Sequence, residues 1–262
     1  MRENRVRRVM REGKLALGTY VTFADPQIVE IIGLAGYDAA FIDMEHTDFD
    51  LRLVGEMIRA ADLAGVTSII RVPGNDEKLI LRVLDAGAEG IIVPHIDGIE
   101  GARKAVEAVR YPPLGDRGGA SGTRAARFGT VPWRDHVRQS NDQIILSVMA
   151  EDQKAIDDVE EIAALDGIDL VSIGPTDFSQ ALGVTDPTDP RLRAGIEDLA
   201  ARVKRIGKAK LQIPMNHAAF PLGPKELLEL GVGYCHVSPP PPAVLLRSRR
   251  DRLKGIRDEI GE

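Results

Sequence analysis

The stretch Ala39-Ala-Phe-Ile-Asp-Met44, continued by Glu45-His46, then by Leu51–Ala64 and Thr67-Ser-Ile-Ile-Arg-Val72, decides the fold. Ala39–Ile42 is an unbroken apolar run, the pattern of a strand buried on both faces. In Leu51–Ala64, the residues Leu53, Val54, Met57, Ile58 and Ala61 share one face at helical spacing. The second apolar run, Thr67–Val72, completes a strand–helix–strand unit, which calls for a parallel sheet.

The same alternation extends in both directions. Strands are expected at Leu15–Thr22, Ala39–Met44, Thr67–Val72, Gly90–Pro94, Ile144–Ala150, Leu170–Gly174, Lys210–Met215 and Gly233–Val237. Helices are expected between most of them, at Pro26–Ala35, Leu51–Ala64, Asp76–Asp85, Glu100–Val109, Gln153–Ala164, Pro190–Gly207 and Lys225–Leu230. Several follow Asp or Asn and stop at Gly, as capping favours. Eight such units in 262 residues predict an α/β fold of one domain, a (β/α)8 TIM barrel over residues 1–262. The alternative is an open doubly wound sheet, but no Gly-x-Gly-x-x-Gly turn follows the first strand. Residues 115–129 break the rhythm with five glycines and three arginines; a loop of that length is usually functional or disordered. The charged segment Ala243–Ile260 reads as a helix that packs on a neighbouring subunit.

Composition narrows the function classes. The net charge of −6, without a long basic run, argues against nucleic-acid binding. A single cysteine, Cys235, excludes an internal disulfide and a thiolate metal cluster. The first eleven residues lack an apolar core for a signal peptide, and no apolar stretch is long enough for a membrane span, so a cytoplasmic protein is expected.

In a parallel barrel the catalytic groups sit where strands end. The runs here end in Asp43, Glu45 and His46; in Arg71; in His95; in Glu151; in Gly174-Pro175-Thr176-Asp177; and in Asn216-His217. Glu151 and Asp177 follow consecutive strands and suit a hard divalent cation, although each could instead cap the helix after it. Arg71 ends an apolar run, where a guanidinium needs a partner. It could hold a carboxylate, stabilise an enolate, or pair with Asp43 or Glu45. His46 is the leading base, and Asp85, an acid set against the dipole at a helix end, is its natural partner. His95, His217 and His236 carry no assigned chemistry, and His136 reads as structural. No lysine closes a strand, which disfavours a Schiff-base mechanism.

Taken together, Phe41-Ile-Asp-Met-Glu-His46, Arg71-Val-Pro-Gly-Asn-Asp76, Leu84-Asp-Ala-Gly87, Val93-Pro-His95, Arg110-Tyr-Pro-Pro113 with Arg117-Gly118, and Ile173-Gly-Pro-Thr-Asp-Phe-Ser179 resemble the HpcH/HpaI family of class II pyruvate aldolases. The likeness extends to its 4-hydroxy-2-oxoheptanedioate and 2-dehydro-3-deoxyglucarate aldolases and covers roughly residues 15–235. It implies metal-dependent cleavage of a 4-hydroxy-2-oxo acid to pyruvate and an aldehyde. Glu151 and Asp177 would be the ligands of Mg²⁺, Mn²⁺ or Co²⁺, and His46 with Asp85 the proton-handling dyad. Arg71 would stabilise the enolate, while Ser121 in the loop 121–123 and the backbone near Thr176 would hold the substrate carboxylate. The resemblance also implies a homo-hexamer or homo-trimer with an exchanged C-terminal helix. The alternatives are a related metal-enolate lyase or oxaloacetate-type decarboxylase, and a non-catalytic binding barrel. Two positions depart from the family pattern: Met149 stands where Gln is common, and Ser238 is followed by Pro239-Pro-Pro-Pro242, which removes four backbone donors at the rim.

Overall fold

The computed structural model describes residues 2–186, 188–217 and 220–261. Eight parallel strands close into a barrel in chain order: β1 (Ala16–Val21), β2 (Ala39–Asp43), β3 (Thr67–Arg71), β4 (Gly90–Val93), β5 (Ile145–Met149), β6 (Leu170–Ser172), β7 (Lys210–Gln212) and β8 (Val232–His236). Every strand expected from the sequence is present; most are slightly shorter, β7 stops three residues early, and β8 begins and ends one residue earlier than expected. Strands β2, β3, β5 and β8 are buried along their whole length, because the helices cover one face and the barrel interior the other.

The helices are α1 (Arg5–Arg11), α2 (Gln27–Leu34), α3 (Leu51–Ala64), α4 (Glu77–Asp85), α5 (Gly98–Val109), α6 (Trp133–Gln143), α7 (Gln153–Asp157), α8 (Val159–Ala164), α9 (Pro175–Ala181), α10 (Pro190–Ile206), α11 (Pro224–Leu230) and α12 (Pro241–Ile260). Capping sets several ends. Asp50 accepts from the Leu53 N–H ahead of α3, which stops at Gly65 with φ 72°. Asp76 likewise accepts from Leu79 N–H ahead of α4.

The helix expected over Gln153–Ala164 is two, α7 and α8, broken at Asp158, whose carboxylate accepts instead from Ile99 N–H at the start of α5. Three helices had no clear sequence signal. α1 and α6 bury few side chains, and α9 is a short element behind Gly174-Pro175.

Two apolar layers result. Ala16, Phe41, Ile69, Ile92, Ile145, Met149, Leu170 and Tyr234 fill the barrel, with Val6 of α1 closing its N-terminal end. A larger layer lies between sheet and helices. Helix α12 buries no side chain and exposes Val244, Leu245, Leu246, Leu253, Ile256 and Ile260. Among the described residues, no helix is long and apolar enough to cross a membrane.

Candidate active site

A cavity of ≈ 440 Å³ opens at the C-terminal ends of the strands, where barrel chemistry is expected. Its lining includes Tyr20, His46, Arg71, Met149, Thr176, Asp177, Gln212 and His236. Glu151 follows β5 and Asp177 lies in the first turn of α9, so adjacent strands deliver both carboxylates. Neither caps a helix by its side chain, the alternative left open by the sequence. Glu151 is 2% exposed, and its Oε1 accepts from the His95 N–H at 2.9 Å. Its Oε2 is buried with no hydrogen-bond partner among the described residues. A Cβ added to Gly174 would lie 2.9 Å from that oxygen and 3.7 Å from Asp177 Oδ2. The two carboxylates therefore flank one point that only glycine leaves clear.

Burial pushes the Glu151 carboxyl up to about 7, the His95 N–H opposes this, and the Asp177 charge adds to it. A partnerless buried carboxylate oxygen beside a second carboxylate is a fit for a divalent cation, which would lift both costs at once. Among the described residues no group of three or more His, Cys, Asp or Glu is arranged to hold a metal. Two protein ligands leave the other coordination positions to water and substrate.

Arg71 ends β3 beside Asp43 of β2, its register partner. Its Nε and Nη2 donate to Asp43 Oδ1 and Oδ2 at 2.8 and 2.6 Å, and Nη1 lies 3.1 Å from Glu45 Oε2. The ion pair and the place in the cavity wall coexist. The fork fixes the guanidinium plane, and Phe41 lies 5.5 Å beneath it.

His46 also lines the cavity; its side chain is largely exposed, with Nε2 3.6 Å from Glu45 Oε2. The expected contact with Asp85 is not formed within the chain. Helix α4 runs back from the mouth, so Asp85 lies at the N-terminal end of the barrel and accepts from Arg117 Nη2 at 2.9 Å. Ser121 lies at that end too. Its loop is tied there by Ala125 N–H to Asp85 O and by Arg124 to Ala86 O and Asp62, and Ser121 itself is exposed. Thr176 is at the mouth, in the first turn of α9, where N–H groups lack helical partners. Met149 lines the cavity beneath Gly174. Of the proline run, Pro240 lines the rim and Pro241 and Pro242 open α12, where missing donors cost least.

Three groups gain importance that residue type alone does not give them. His95 sits at φ 46°, a strained conformation for a residue with a Cβ, and this aims its N–H at Glu151. Its ring lies 3.4 Å from Glu151 Oε1 and 3.6 Å from Glu45 Oε1. The buried His236 pairs with the half-buried Tyr20, Nε2···Oη at 2.9 Å. Gln212 is held by the Ser147 hydroxyl, which donates to its Oε1 at 2.8 Å. A polar residue inside an apolar strand, as at Gln212 and His236, was the only signal available beforehand.

The chain as a whole is similar to known proteins. The sequence model of the family described as HpcH/HpaI aldolase/citrate lyase matches residues 16–213. A hydroxypyruvate/pyruvate aldolase of Roseovarius nubinhibens is 40% identical over 79% of this chain and 80% of its own length. A 2-dehydro-3,6-dideoxy-6-sulfogluconate aldolase of Pseudomonas putida is 37% identical over 76% of this chain and 78% of its own. A crystal structure of an HpcH/HpaI aldolase/citrate lyase family protein from Burkholderia cenocepacia superposes with a TM-score of 0.86 at 31% identity. It covers 97% of this chain and 99% of that one.

Proposed function

The chain belongs to the HpcH/HpaI aldolase/citrate lyase family, and on that premise we propose that it is a class II aldolase that cleaves a 4-hydroxy-2-oxo acid to pyruvate, or a close 2-oxo acid, and an aldehyde. The observation that carries this reading is the buried, partnerless Oε2 of Glu151 facing Asp177 across Gly174 at the mouth of the barrel.

Glu151 and Asp177 would hold a divalent cation, Mg²⁺, Mn²⁺ or Co²⁺. Bound there, such an ion supplies Lewis acidity toward the 2-oxo group. The chain's own groups do the rest. The substrate hydroxyl at C4 gives up its proton to His46, directly or through a water, and the C3–C4 bond breaks. The aldehyde leaves, and the electron pair passes into the enolate of the 2-oxo acid. Arg71, locked by Asp43 and Glu45, faces the developing negative oxygen with its orientation already set. His46 stands at the open side of the cavity, where it can exchange protons with solvent and return one to C3. The first turn of α9 at Thr176 offers unbonded N–H groups to the substrate carboxylate. Asp85 and Ser121 can reach this site only from a second copy of the chain, which fits the hexamer or trimer expected from the resemblance.

The test is product analysis of pyruvate with a panel of aldehydes, with and without added Mg²⁺, Mn²⁺ or Co²⁺. Aldol products that vanish after exhaustive chelation and return with the ion support the reading. Activity untouched by chelation would sink it.

A further inference from the structure

The cavity has a second polar wall that the cleavage step does not use. Its members are His236 on β8, Tyr20 on β1 and Gln212 on β7. In an eight-stranded barrel β1 stands across from β5, so Tyr20 faces the mouth from the side opposite Glu151. A substrate held beside Glu151 and Asp177 would have this wall across the cavity from its bound end.

The wall is built rather than incidental. His236 is 6% exposed and Gln212 is 1% exposed. His236 packs edge-on to Tyr20 at 4.5 Å between ring centroids, and Tyr20 stacks on Phe41 at 4.6 Å. The Tyr20 hydroxyl is pushed up to about 12 by burial and keeps its proton. Burial, then the nearby Arg71 charge, pushes the His236 imidazole down to about 3, so it stays neutral. A phenol is the better donor and a neutral imidazole nitrogen the better acceptor, so the Tyr20 O–H donates to Nε2. The ring proton then sits on Nδ1, which is buried without a partner. The Ser147 hydroxyl occupies the Oε1 of Gln212 in the same way, leaving the amide N–H₂ as the end available to the cavity. Both groups are thus oriented, neutral donors. Arg71, a cation in the same cavity, has three of its five N–H groups directed to Asp43 and Glu45, and the remaining two serve the enolate oxygen at the chelated end. The wall is therefore suited to a neutral oxygen rather than to a second carboxylate.

We propose that His236 and Gln212 select a substrate hydroxyl on the carbon chain beyond the chelating 2-oxo acid unit, with Tyr20 and Ser147 as positioning residues. This rests on the aldolase reading above. The hydroxyl has two possible sources: C3 of the 2-oxo acid, or the carbon next to the aldehyde group. A site built to hydrogen-bond a hydroxyl strongly disfavours the analogue that lacks it, because its buried donors are then left unpaired.

The experiment compares kcat/KM for two substrate pairs on the metal-loaded enzyme: glycolaldehyde against acetaldehyde with pyruvate, and hydroxypyruvate against pyruvate with one aldehyde. The wild type should prefer the hydroxylated member of at least one pair. His236→Phe and Gln212→Leu should each lower that ratio by about tenfold or more. The pair that responds identifies which carbon bears the recognised hydroxyl. Tyr20→Phe should lower the ratio in the same direction and shift the ¹⁵N signals of His236, a tautomer change that a packing role would not produce. His236→Asn, which restores a donor near the Nδ1 position, should recover part of the preference and also serves if His236→Phe fails to fold. Equal ratios in the wild type, or ratios unchanged in folded variants, overturn the proposal. Deuterium exchange into the methyl group of pyruvate separates the two levels. If the wild type does not exchange, the aldolase reading falls and this proposal with it. If exchange persists in every variant while the ratios stay fixed, only the wall falls.

Discussion

The two ends of the barrel treat their carboxylates in opposite ways. At the N-terminal end the acids that precede strands are matched one by one from α1 and the residues just before it: Glu89 by Arg2, Asp38 by Arg5 and Asp169 by Arg7, at 2.7–2.8 Å. Asp169 also holds the fully buried Arg110 at 2.7 Å. At the C-terminal end Asp43 and Glu45 share Arg71, while Glu151 and Asp177 have no arginine or lysine partner among the described residues. Among the described residues Glu151 has the backbone N–H and the ring of His95, and its Oε2 has no hydrogen-bond partner. A closed ion-pair network stabilises the fold; an open one at the mouth keeps room for a ligand that carries the missing charge.

The sharpest break between the ends should come from Glu151→Gln. Turnover should fall below detection, and so should the rise in melting temperature on adding Mg²⁺ or Mn²⁺. Stability without metal should move the other way. The folded-state pKa of about 7 lies above the ordinary carboxylate value of 4.5, so the folded chain binds this proton more tightly than the unfolded one. Stability from this group is therefore greatest at low pH and is lost as pH climbs from about 4.5 to 7. Removing the charge should stabilise the metal-free protein above pH 7 by up to about 3 kcal/mol. Melting curves of chelated wild type and variant across pH 5–8 check this. A variant less stable than wild type at pH 8 would mean that Glu151 is satisfied without a cation.

The mirror experiment is Asp169→Ala at the other end. It strands Arg110, whose guanidinium is 2% exposed, and removes the acceptor of Arg7 and of Leu146 N–H. Breaking such a buried pair costs about 3–5 kcal/mol, on the order of 10 °C in melting temperature for a chain of this size. Metal affinity and kcat/KM, measured well below the melt, should stay within about twofold, since only loss of fold links this end to the mouth. A large change in kcat with the fold intact would contradict the division between the ends.

That division was only partly legible beforehand. The barrel was readable because eight apolar runs at regular spacing leave few other folds, and because buried parallel strands need no alternation. Glu151, Asp177, Arg71, His46 and Thr176 stood out because each closes a run, and the structure places all five at the mouth. Asp85 and Ser121 were misplaced within one chain for a topological reason: one ends a helix and the other follows one, and helices end at the far side of the barrel. Chain order shows that a residue is polar and conspicuous but not which end it serves unless its element is tracked. His95 was undervalued because its significance lies in a backbone strain that residue type does not encode.

A smaller effect is expected from Arg71→Lys, which keeps the charge but loses the fork. The ammonium can meet Asp43 or Glu45 but cannot hold one fixed plane between them. If Arg71 acts mainly on the developing enolate, kcat should fall by about 10²–10³-fold while the melting temperature changes little. A drop in stability with kcat preserved would place Arg71 with the structural arginines of the other end.

The finest probe is Gly174→Ala. The φ of Gly174 is −89°, ordinary for any residue, so the substitution brings no backbone strain and acts only through space. The new methyl would sit 2.9 Å from Glu151 Oε2 and 3.2 Å from Met149 Cε. The methionine end can swing away, but the carboxylate is anchored on its other oxygen by the His95 N–H and must turn. Rotating a ligand in this way resembles the loss of an orienting partner and should weaken metal binding by about 10–100-fold, with the fold retained. Titration of the chelated protein with Mn²⁺, followed by electron paramagnetic resonance, measures it directly. An unchanged affinity would show that the cation sits away from Gly174, and the site would then have to be redrawn around Glu45 and His95.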